Sequence, residues 1–462
     1  MTVFDTIVHL VYLACATMFV LGLHLMNAPS TARRGNRLSA AGMLVAIGAT
    51  AAVLIENGQL TPMAVVVLTA GTAAGATAGM VAARRIRMTA MPQLVSLFNA
   101  VGGGAAALIA LGDRATGVPA AVTGALDVII GGITFSGSLI ASGKLAGRIP
   151  GRPIVTPGGR AGAALLAAAA VGLAVFAGPE RAPVALAGVA ACALAVGVLV
   201  TLPIGGADMP VVISLLNACT GTAVAMAGFV LGSTPLIIAG ALVGAAGAIL
   251  TKLMADAMNR PVRAIISGGY GSGDAATAAS IPGTADVRRV SAEDAAIQLA
   301  YATRVVIVPG YGLAAAQAQH EVVALTKVLI AHGVEVSYGI HPVAGRMPGH
   351  MNVLLAEADA PYDQLKDLDE INPVLPATDV ALVVGANDVT NPAARRPGNA
   401  ISGMPILDVD KARSVIVIKR SLGHGYAGID NELYHDPRTA MLFADAKAGL
   451  TALLAAVQTY AR

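Results

Sequence analysis

The chain has 462 residues, of which 56% are hydrophobic and 12% are charged, and its net charge at pH 7 is +3. A mean hydropathy of +0.71 excludes an ordinary soluble protein and predicts a membrane protein. The sequence has no basic stripe with interleaved aromatic residues, so nucleic-acid binding is not expected. All three cysteines lie in apolar segments, which predicts packing roles and neither disulfides nor a metal site: Cys15, Cys192 and Cys219.

The charged residues are divided unevenly along the chain. Residues 1–258 hold 13 Lys/Arg and 7 Asp/Glu, whereas the rest of the chain holds 17 and 20, an ordinary soluble balance. We therefore predict a transmembrane domain at residues 1–258, a Gly/Ser-rich linker at 259–290 and a soluble domain at 291–462.

The transmembrane domain is predicted to contain about nine helices, because each span needs about 20 apolar residues. The candidates are residues 4–26, 38–56, 62–82, 91–112, 118–142, 160–178, 183–203, 208–231 and 234–258. Lys and Arg concentrate in alternate loops, which places the N-terminus outside and the C-terminal domain in the cytoplasm. No Lys or Arg precedes the first long apolar run, so we expect a retained span of the cell (inner) membrane and not a cleaved signal peptide.

The soluble domain alternates strands and helices, which predicts an α/β Rossmann-like fold with a parallel sheet. The expected strands are Val305–Pro309, Val334–Ile340, Val380–Val384 and Ser414–Ile418. Residues 310–315 follow the first strand, and a helical stretch is then expected to run to about Ala331. The apolar run Met441-Leu-Phe443 is expected to open the final helix.

A dinucleotide-binding fingerprint follows the first predicted strand. Gly310, Gly312 and Ala315 match the pattern Gly-x-Gly-x-x-Gly/Ala, with Tyr311 between the glycines. Such glycines permit a tight turn and close approach of the backbone to a pyrophosphate, and a helix N-terminus favours negative charge. An ordinary glycine-rich turn is the alternative interpretation.

The second strand indicates which nucleotide is expected. An NAD site usually has an acidic residue at the end of this strand, but here it ends in Tyr338-Gly-Ile-His341. The missing carboxylate favours a ligand with a 2′-phosphate. Lys419 and Arg420 follow the fourth strand and precede Ser421, and such residues bind phosphate well. A solvated strand end would explain this basic pair equally well.

Two further loops have unusual compositions. Residues 341–350 are rich in Gly and Pro and carry Arg346, which suits a loop that wraps a phosphate. The segment Gly385–Pro392 follows the third strand directly, and Asp388 there could accept a hydrogen bond from a ribose hydroxyl or a carboxamide. Loops beyond the carboxyl ends of strands are where α/β proteins bind ligands.

Several segments resemble the beta subunit of proton-translocating NAD(P) transhydrogenase, and the resemblance runs essentially from end to end. They are Met91-Pro-Gln-Leu-Val, Gly206-Ala-Asp-Met-Pro210, Pro309-Gly-Tyr-Gly, Gly345-Arg-Met-Pro-Gly-His-Met-Asn-Val353, Gly385-Ala-Asn-Asp388 and Lys419-Arg-Ser. The resemblance implies a membrane domain joined to an NADP(H)-binding domain. It also implies an alpha subunit that binds NAD(H) and has its own membrane helices, and a dimer of the heteromeric unit.

The resemblance further implies that NADP(H) lies reversed relative to the usual Rossmann pose and that Tyr426 and its neighbours close over it. The expected NADP(H)-binding residues are Gly310, Tyr311, Gly312, Ala315, Val343, Ala344, Gly345, Arg346, Met347, Pro348, Gly349, Gly385, Ala386, Asn387, Asp388, Lys419, Arg420, Ser421, Gly425 and Tyr426. Hydride transfer between two nicotinamides needs no general acid or base, so no catalytic residue is assigned.

Polar side chains inside a bilayer are expensive and usually functional. Four of them are expected to form the proton path: Asn99, Asp127, Asp208 and Asn217. The family resemblance adds that some members have a histidine in place of Asn99, and that the positions of Asn99 and Asn217 are tied to proton translocation. The alternative is that each asparagine bonds a neighbouring helix. Asp127 could equally line the pore or contact an alpha-subunit helix.

Two other functions fit the sequence less well. A transporter or channel with a nucleotide-sensing regulatory domain would need a filter loop or a broken-helix ion site, and the sequence has no Thr-Val-Gly-Tyr-Gly filter. A membrane electron-transfer protein would need facing histidines in its spans, but His9 and His24 lie on the same span. The resemblance favours the transhydrogenase subunit over both.

Overall fold

The computed structural model describes residues 3–26, 29–86, 90–113, 117–151, 153–177, 183–205, 208–258, 261–266, 287–345, 349–397, 399, 401–425 and 427–460. Within these residues the chain divides into two compact units. One unit holds most of the long apolar helices, and the other holds the whole of the β-sheet.

Nine helices in the described part of the chain are long and apolar enough to cross a membrane. They are α1 (Val3–Leu25), α2 (Pro29–Glu56), α3 (Pro62–Arg85), α4 (Met91–Gly112), α5 (Val118–Leu145), α6 (Gly159–Ala177), α7 (Pro183–Thr201), α8 (Met209–Val230) and α9 (Thr234–Ala257). The predicted multi-span helical architecture is therefore confirmed.

The bounds of α3 illustrate how local sequence sets a span. Thr61 caps the helix by accepting a hydrogen bond from Ala64 N at 3.2 Å, and Pro62 stands in the first turn, where its missing N–H costs nothing. Arg84 and Arg85 lie in the last turn, where cations interact favourably with the helix dipole.

Small residues allow close packing within the helical unit. A Cβ added to Gly131 of α5 would lie 3.0 Å from the Cβ of Ala107 in α4. A Cβ added to Gly228 of α8 would lie 2.6 Å from Ile237 N in α9. Between helices in lipid, such close van der Waals packing takes the place of a hydrophobic driving force.

The second unit contains the α/β domain and the short helices before it. Its helices are α10 (Val262–Ile266), α11 (Ala292–Ala300), α12 (Tyr311–Ala315), α13 (Gln319–Ala331), α14 (His350–Glu357), α15 (Leu368–Ile371) and α16 (Ala446–Tyr460). Its strands are β1 (Arg304–Pro309), β2 (Glu335–Gly339), β3 (Leu365–Lys366), β4 (Val380–Val384), β5 (Ser414–Lys419) and β6 (Thr439–Phe443).

The six strands form one parallel sheet in the order β3-β2-β1-β4-β5-β6. All five residues of β4 are buried, as expected for a strand covered on both faces. The order reverses direction between β1 and β4, which makes the carboxyl ends of these two strands the switch point of the sheet. The predicted Rossmann-like fold is confirmed.

One local prediction was wrong, and one strand was not predicted. Met441-Leu-Phe443 lies in β6, where Met441 pairs with Val417, and α16 begins only at Ala446. A run of three apolar residues fits a strand as well as a helix, and only the pairing with β5 decides between them. The short strand β3 was also missed, because two residues carry no periodic signal.

The helical stretch predicted up to Ala331 corresponds to α13, and the fingerprint before it forms the separate short helix α12. Gln317 adopts a left-handed φ of 51°. Ala318 N donates to Leu313 O at 3.1 Å and Gln317 N donates to Ala314 O at 3.0 Å. These two bonds form a Schellman cap, which ends a helix after its last turn.

Candidate functional site

The loops that follow β1 and β4 interlock at the switch point. Gly310 N donates to Val384 O and Gly312 N donates to Gly385 O, both at 2.9 Å. A Cβ at Gly312 would lie 2.6 Å from Gly385 Cα, and Gly385 itself has a φ of +67°. The glycines are therefore required for contact between the two loops, in addition to any approach to a ligand.

Two adjoining cavities open at this edge of the sheet. Most of the predicted binding residues line the larger one: Gly310, Tyr311, Gly312, Val343, Ala344, Gly345, Gly385, Ala386, Asn387, Asp388, Lys419, Arg420 and Gly425. The smaller cavity has a volume of about 250 Å³, and Ala315 and Ser421 line it. The cavities adjoin because both are lined by the same five residues: Gly312, Gly385, Lys419, Arg420 and His424.

Not every predicted residue is placed at a cavity. Gly349 is exposed, with a φ of +65° at the start of α14, and lines neither cavity. Four predicted residues lie outside the described residues: Arg346, Met347, Pro348 and Tyr426.

Several lining residues were missed by sequence reasoning. Asp445 and Ala446 line the smaller cavity at the start of α16, and they were missed because β6 was assigned to the final helix. Ile401 and Met404 line the larger cavity as apolar side chains of an irregular segment, for which the sequence offers no signal. His424 could have been found, since it lies between Ser421 and Gly425 in the loop already predicted to bind.

Asp388 is engaged with the loop that follows β5. Its Oδ2 accepts a hydrogen bond from Ala427 N at 3.0 Å. A Cβ on Gly425 would collide with the Asp388 carboxylate, so only glycine allows this approach. The carboxylate thus bonds the backbone at Ala427 and leaves room only for glycine at residue 425.

The three residues predicted to hold a phosphate differ in their surroundings. Arg420 and Ser421 are exposed at the cavities. Lys419 is half-buried, and its ammonium donates to Gly423 O at 2.5 Å and to the Tyr434 hydroxyl at 3.2 Å. Burial lowers the pKa of Lys419, and the nearby charge of Asp388 opposes this shift.

The loop that follows β2 is anchored by a neutral histidine. His341 is 1% exposed, with Nε2 2.7 Å from Pro405 O, and its Nδ1 accepts a hydrogen bond from Val343 N at 3.2 Å. These contacts require the tautomer with hydrogen on Nε2. Burial lowers the pKa of His341 to about 4, and the bond to Pro405 partly opposes the shift.

The four polar residues of the predicted proton path occupy different environments. Asn99 is buried in α4, and its Nδ2 donates to Ile213 O of α8 at 3.2 Å. In an α-helix the carbonyl of residue 213 is also the one that faces the N–H of Asn217. Asn99 and Asn217 therefore lie at the same level of the α4–α8 contact. This interhelical bond is the arrangement predicted for Asn99 by the alternative interpretation, in which each asparagine bonds a neighbouring helix.

Asp127 lies in α5, one turn before Gly131, and is completely buried. Neither of its carboxylate oxygens has a hydrogen-bond partner among the described residues. Asp208 is buried just before α8 and belongs to the unit that holds the sheet.

The comparisons with known proteins agree over nearly the whole chain. Residues 8–456 match the family model described as NAD(P) transhydrogenase beta subunit. A Rhodospirillum rubrum protein named NAD(P) transhydrogenase subunit beta is 48% identical over 450 residues, which cover 94% of this chain and 96% of that protein. A protein of the same name from a strain of that species matches to the same extent. The nine apolar helices, the parallel Rossmann-like sheet and these matches lead to one conclusion: this multi-pass membrane protein belongs to the NAD(P) transhydrogenase beta subunit family.

Proposed function

We propose that the α/β domain of this chain binds NADP(H). With an alpha subunit that binds NAD(H), the chain would form a membrane transhydrogenase that couples hydride transfer to proton translocation. The observation that carries the proposal is the distribution of charge at the carboxyl edge of the sheet. Basic and hydroxyl side chains gather at the end of β5, and no carboxylate follows β2.

The smaller cavity suits the 2′-phosphate. Arg420 offers a planar fork of donors and Ser421 a hydroxyl, while the ammonium of Lys419 adds positive charge behind them. At the end of β2, where an NAD site would present a carboxylate to the ribose, the chain has the neutral His341. A nucleotide with its 2′-phosphate at β5 would extend into the larger cavity, over the Gly385–Asp388 loop.

The role of the chain would be to position the nicotinamide of NADP(H) and to exclude water from the site, since the bound nicotinamides themselves supply the hydride chemistry. The interlocked glycine loops hold the floor of the site rigid. Apolar side chains at Val343, Ile401 and Met404 line the larger cavity, next to the Gly385–Asp388 loop. Alignment of two reactants in a dry site can account for a large part of a rate enhancement.

In the membrane, Asn99 and Asn217 at the α4–α8 contact, together with Asp127, would carry the proton path. Asparagine binds and orients water through its amide but does not titrate. Asp127 is the buried ionisable group of this set within the helical unit. The charge distribution of the loops supports a cytoplasmic α/β domain, where nucleotides are available.

The double substitution Lys419→Ala/Arg420→Ala tests the nucleotide assignment. The full-length chain in detergent should bind NADPH in strong preference to NADH. The variant should lose about 100-fold of that preference, because it removes a charge-assisted contact from Arg420 and the neighbouring positive charge of Lys419. Arg413→Ala is the matched control. Arg413 is a cation at the opposite end of β5, where it pairs with Asp379 at 2.9 Å. Equal affinity of the unmodified chain for both nucleotides would contradict the proposal.

A further inference from the structure

Tyr434 lies directly behind the proposed nucleotide site without lining either cavity. It belongs to a 3₁₀ turn, Glu432–His435, between β5 and β6, and its side chain is 3% exposed. A phenol buried to this degree normally has hydrogen-bond partners for its hydroxyl. Those partners connect the two loops that form the site.

The turn that carries Tyr434 is fixed to the loop that follows β4. Asn431 Nδ2 donates to Asn387 O at 3.0 Å, while its Oδ1 accepts from Leu433 N at 3.0 Å and so caps the turn. Asn391 Nδ2 donates to Asp430 O at 2.9 Å. Asn391 and Asn431 are both buried. Their bonds hold the turn against the β4 loop independently of any ligand.

The hydroxyl of Tyr434 connects the loop that follows β4 to Lys419. Lys419 Nζ and Gly425 N are both donors, so the Asn387 side chain presents its oxygen to them, at 3.1 and 2.7 Å. The Asn387 nitrogen then faces the Tyr434 hydroxyl at 3.0 Å. The same hydroxyl accepts from Lys419 Nζ at 3.2 Å and donates to Ala386 O at 3.5 Å.

These contacts fix the ammonium of Lys419. An ammonium has three N–H donors, and Nζ has three acceptors around it: Gly423 O, Asn387 Oδ1 and the Tyr434 hydroxyl. Nζ also lies 4.7 Å from the centroid of the Tyr434 ring, in reach of a cation–π interaction. Because Arg420 is the next residue along the chain, the contacts that hold Lys419 also restrict the position of Arg420.

We propose that Tyr434 is a positioning residue for NADP(H) binding. Its hydroxyl ties the β4 loop to the Lys419 ammonium and sets both before the nucleotide arrives. The proposal rests on the proposed function, since it assumes that this site binds NADP(H). Preorganised sites bind more tightly because less ordering remains to be done on binding.

Tyr434→Phe removes only the hydroxyl and keeps the ring beneath the ammonium. In the full-length detergent-solubilised chain, the variant should raise the Kd for NADPH about tenfold, as expected when a hydrogen bond to a charged group is lost. Tyr338→Phe is the matched control. Tyr338 is a fully buried tyrosine of β2 whose hydroxyl lies 2.7 Å from Thr326 Oγ1 and which lines neither cavity. This control should lose similar thermal stability and keep the Kd of the unmodified chain.

A double-mutant cycle tests whether Tyr434 acts through Lys419. Lys419→Met should weaken NADPH binding, and adding Tyr434→Phe to it should weaken binding no further. An unchanged Kd in Tyr434→Phe would overturn the proposal, as would an equal rise in Tyr338→Phe or a full tenfold loss in the Lys419→Met background. If the unmodified chain does not bind NADPH at all, the proposed function fails first. If it binds and only the cycle fails, the proposed function stands without this role for Tyr434.

Discussion

His341 is expected to make the stability of the α/β domain depend on pH. Its pKa in the folded protein is about 4, against an ordinary value of 6.5, because burial disfavours the charged ring. Protonation would also end the bond in which Nδ1 accepts from Val343 N. The unfolded chain therefore takes up this proton at a higher pH than the folded chain does.

The sign and size of the effect follow from these two pKa values. The stabilising contribution is complete above pH 6.5 and is lost as the pH falls from 6.5 to 4. At about 1.4 kcal/mol per pKa unit, the whole contribution is about 3 kcal/mol, of which about 2 kcal/mol is lost between pH 7.5 and 5. This loss is a sizeable part of the roughly 5–15 kcal/mol by which domains are stable.

The assay is urea unfolding of the fragment 285–462 at several pH values between 7.5 and 5, followed by circular dichroism. His341→Gln cannot titrate and should show a free energy of unfolding that falls by about 2 kcal/mol less over this range. His332→Gln is the control, because His332 is exposed at the end of α13 and should leave the pH dependence unchanged. The same pH dependence in His341→Gln as in the unmodified fragment would refute the reasoning.

Two further predictions concern coupling and partners. Asn99→Leu or Asn217→Leu should abolish or uncouple proton pumping in vesicles reconstituted with the alpha subunit, while NADPH binding is retained. Asn57→Leu, at an exposed position after α2, is the control. Unchanged pumping in both the Asn99 and the Asn217 variant would contradict the assignment. The purified chain alone should not catalyse transhydrogenation, since it carries one dinucleotide fingerprint. Adding the alpha subunit should give activity. Turnover by the chain alone would show that the alpha subunit is not required.

The sequence determined the class of the protein and most of the elements of its site. Spans were readable because each must be long and apolar for a bilayer, whatever its neighbours are. The strands β1, β4 and β5 were readable because buried parallel strands are short runs of apolar, mostly β-branched residues. The glycine loop after β1 and the basic pair after β5 could be assigned to one site from the sequence. Both directly follow strands, and the carboxyl ends of parallel strands lie at the same edge of a sheet.

Only the tertiary structure decided how these parts are used. The assignment of Met441 to a strand depends on pairing with Val417. The partner of the Gly312 amide is a carbonyl in the loop after β4, and the Lys419 ammonium contacts the hydroxyl of Tyr434. Each of these facts is a contact between segments far apart in the chain. Local periodicity and composition encode the preference of a segment for helix, strand or turn, but partners across the sheet are fixed only when the sheet closes.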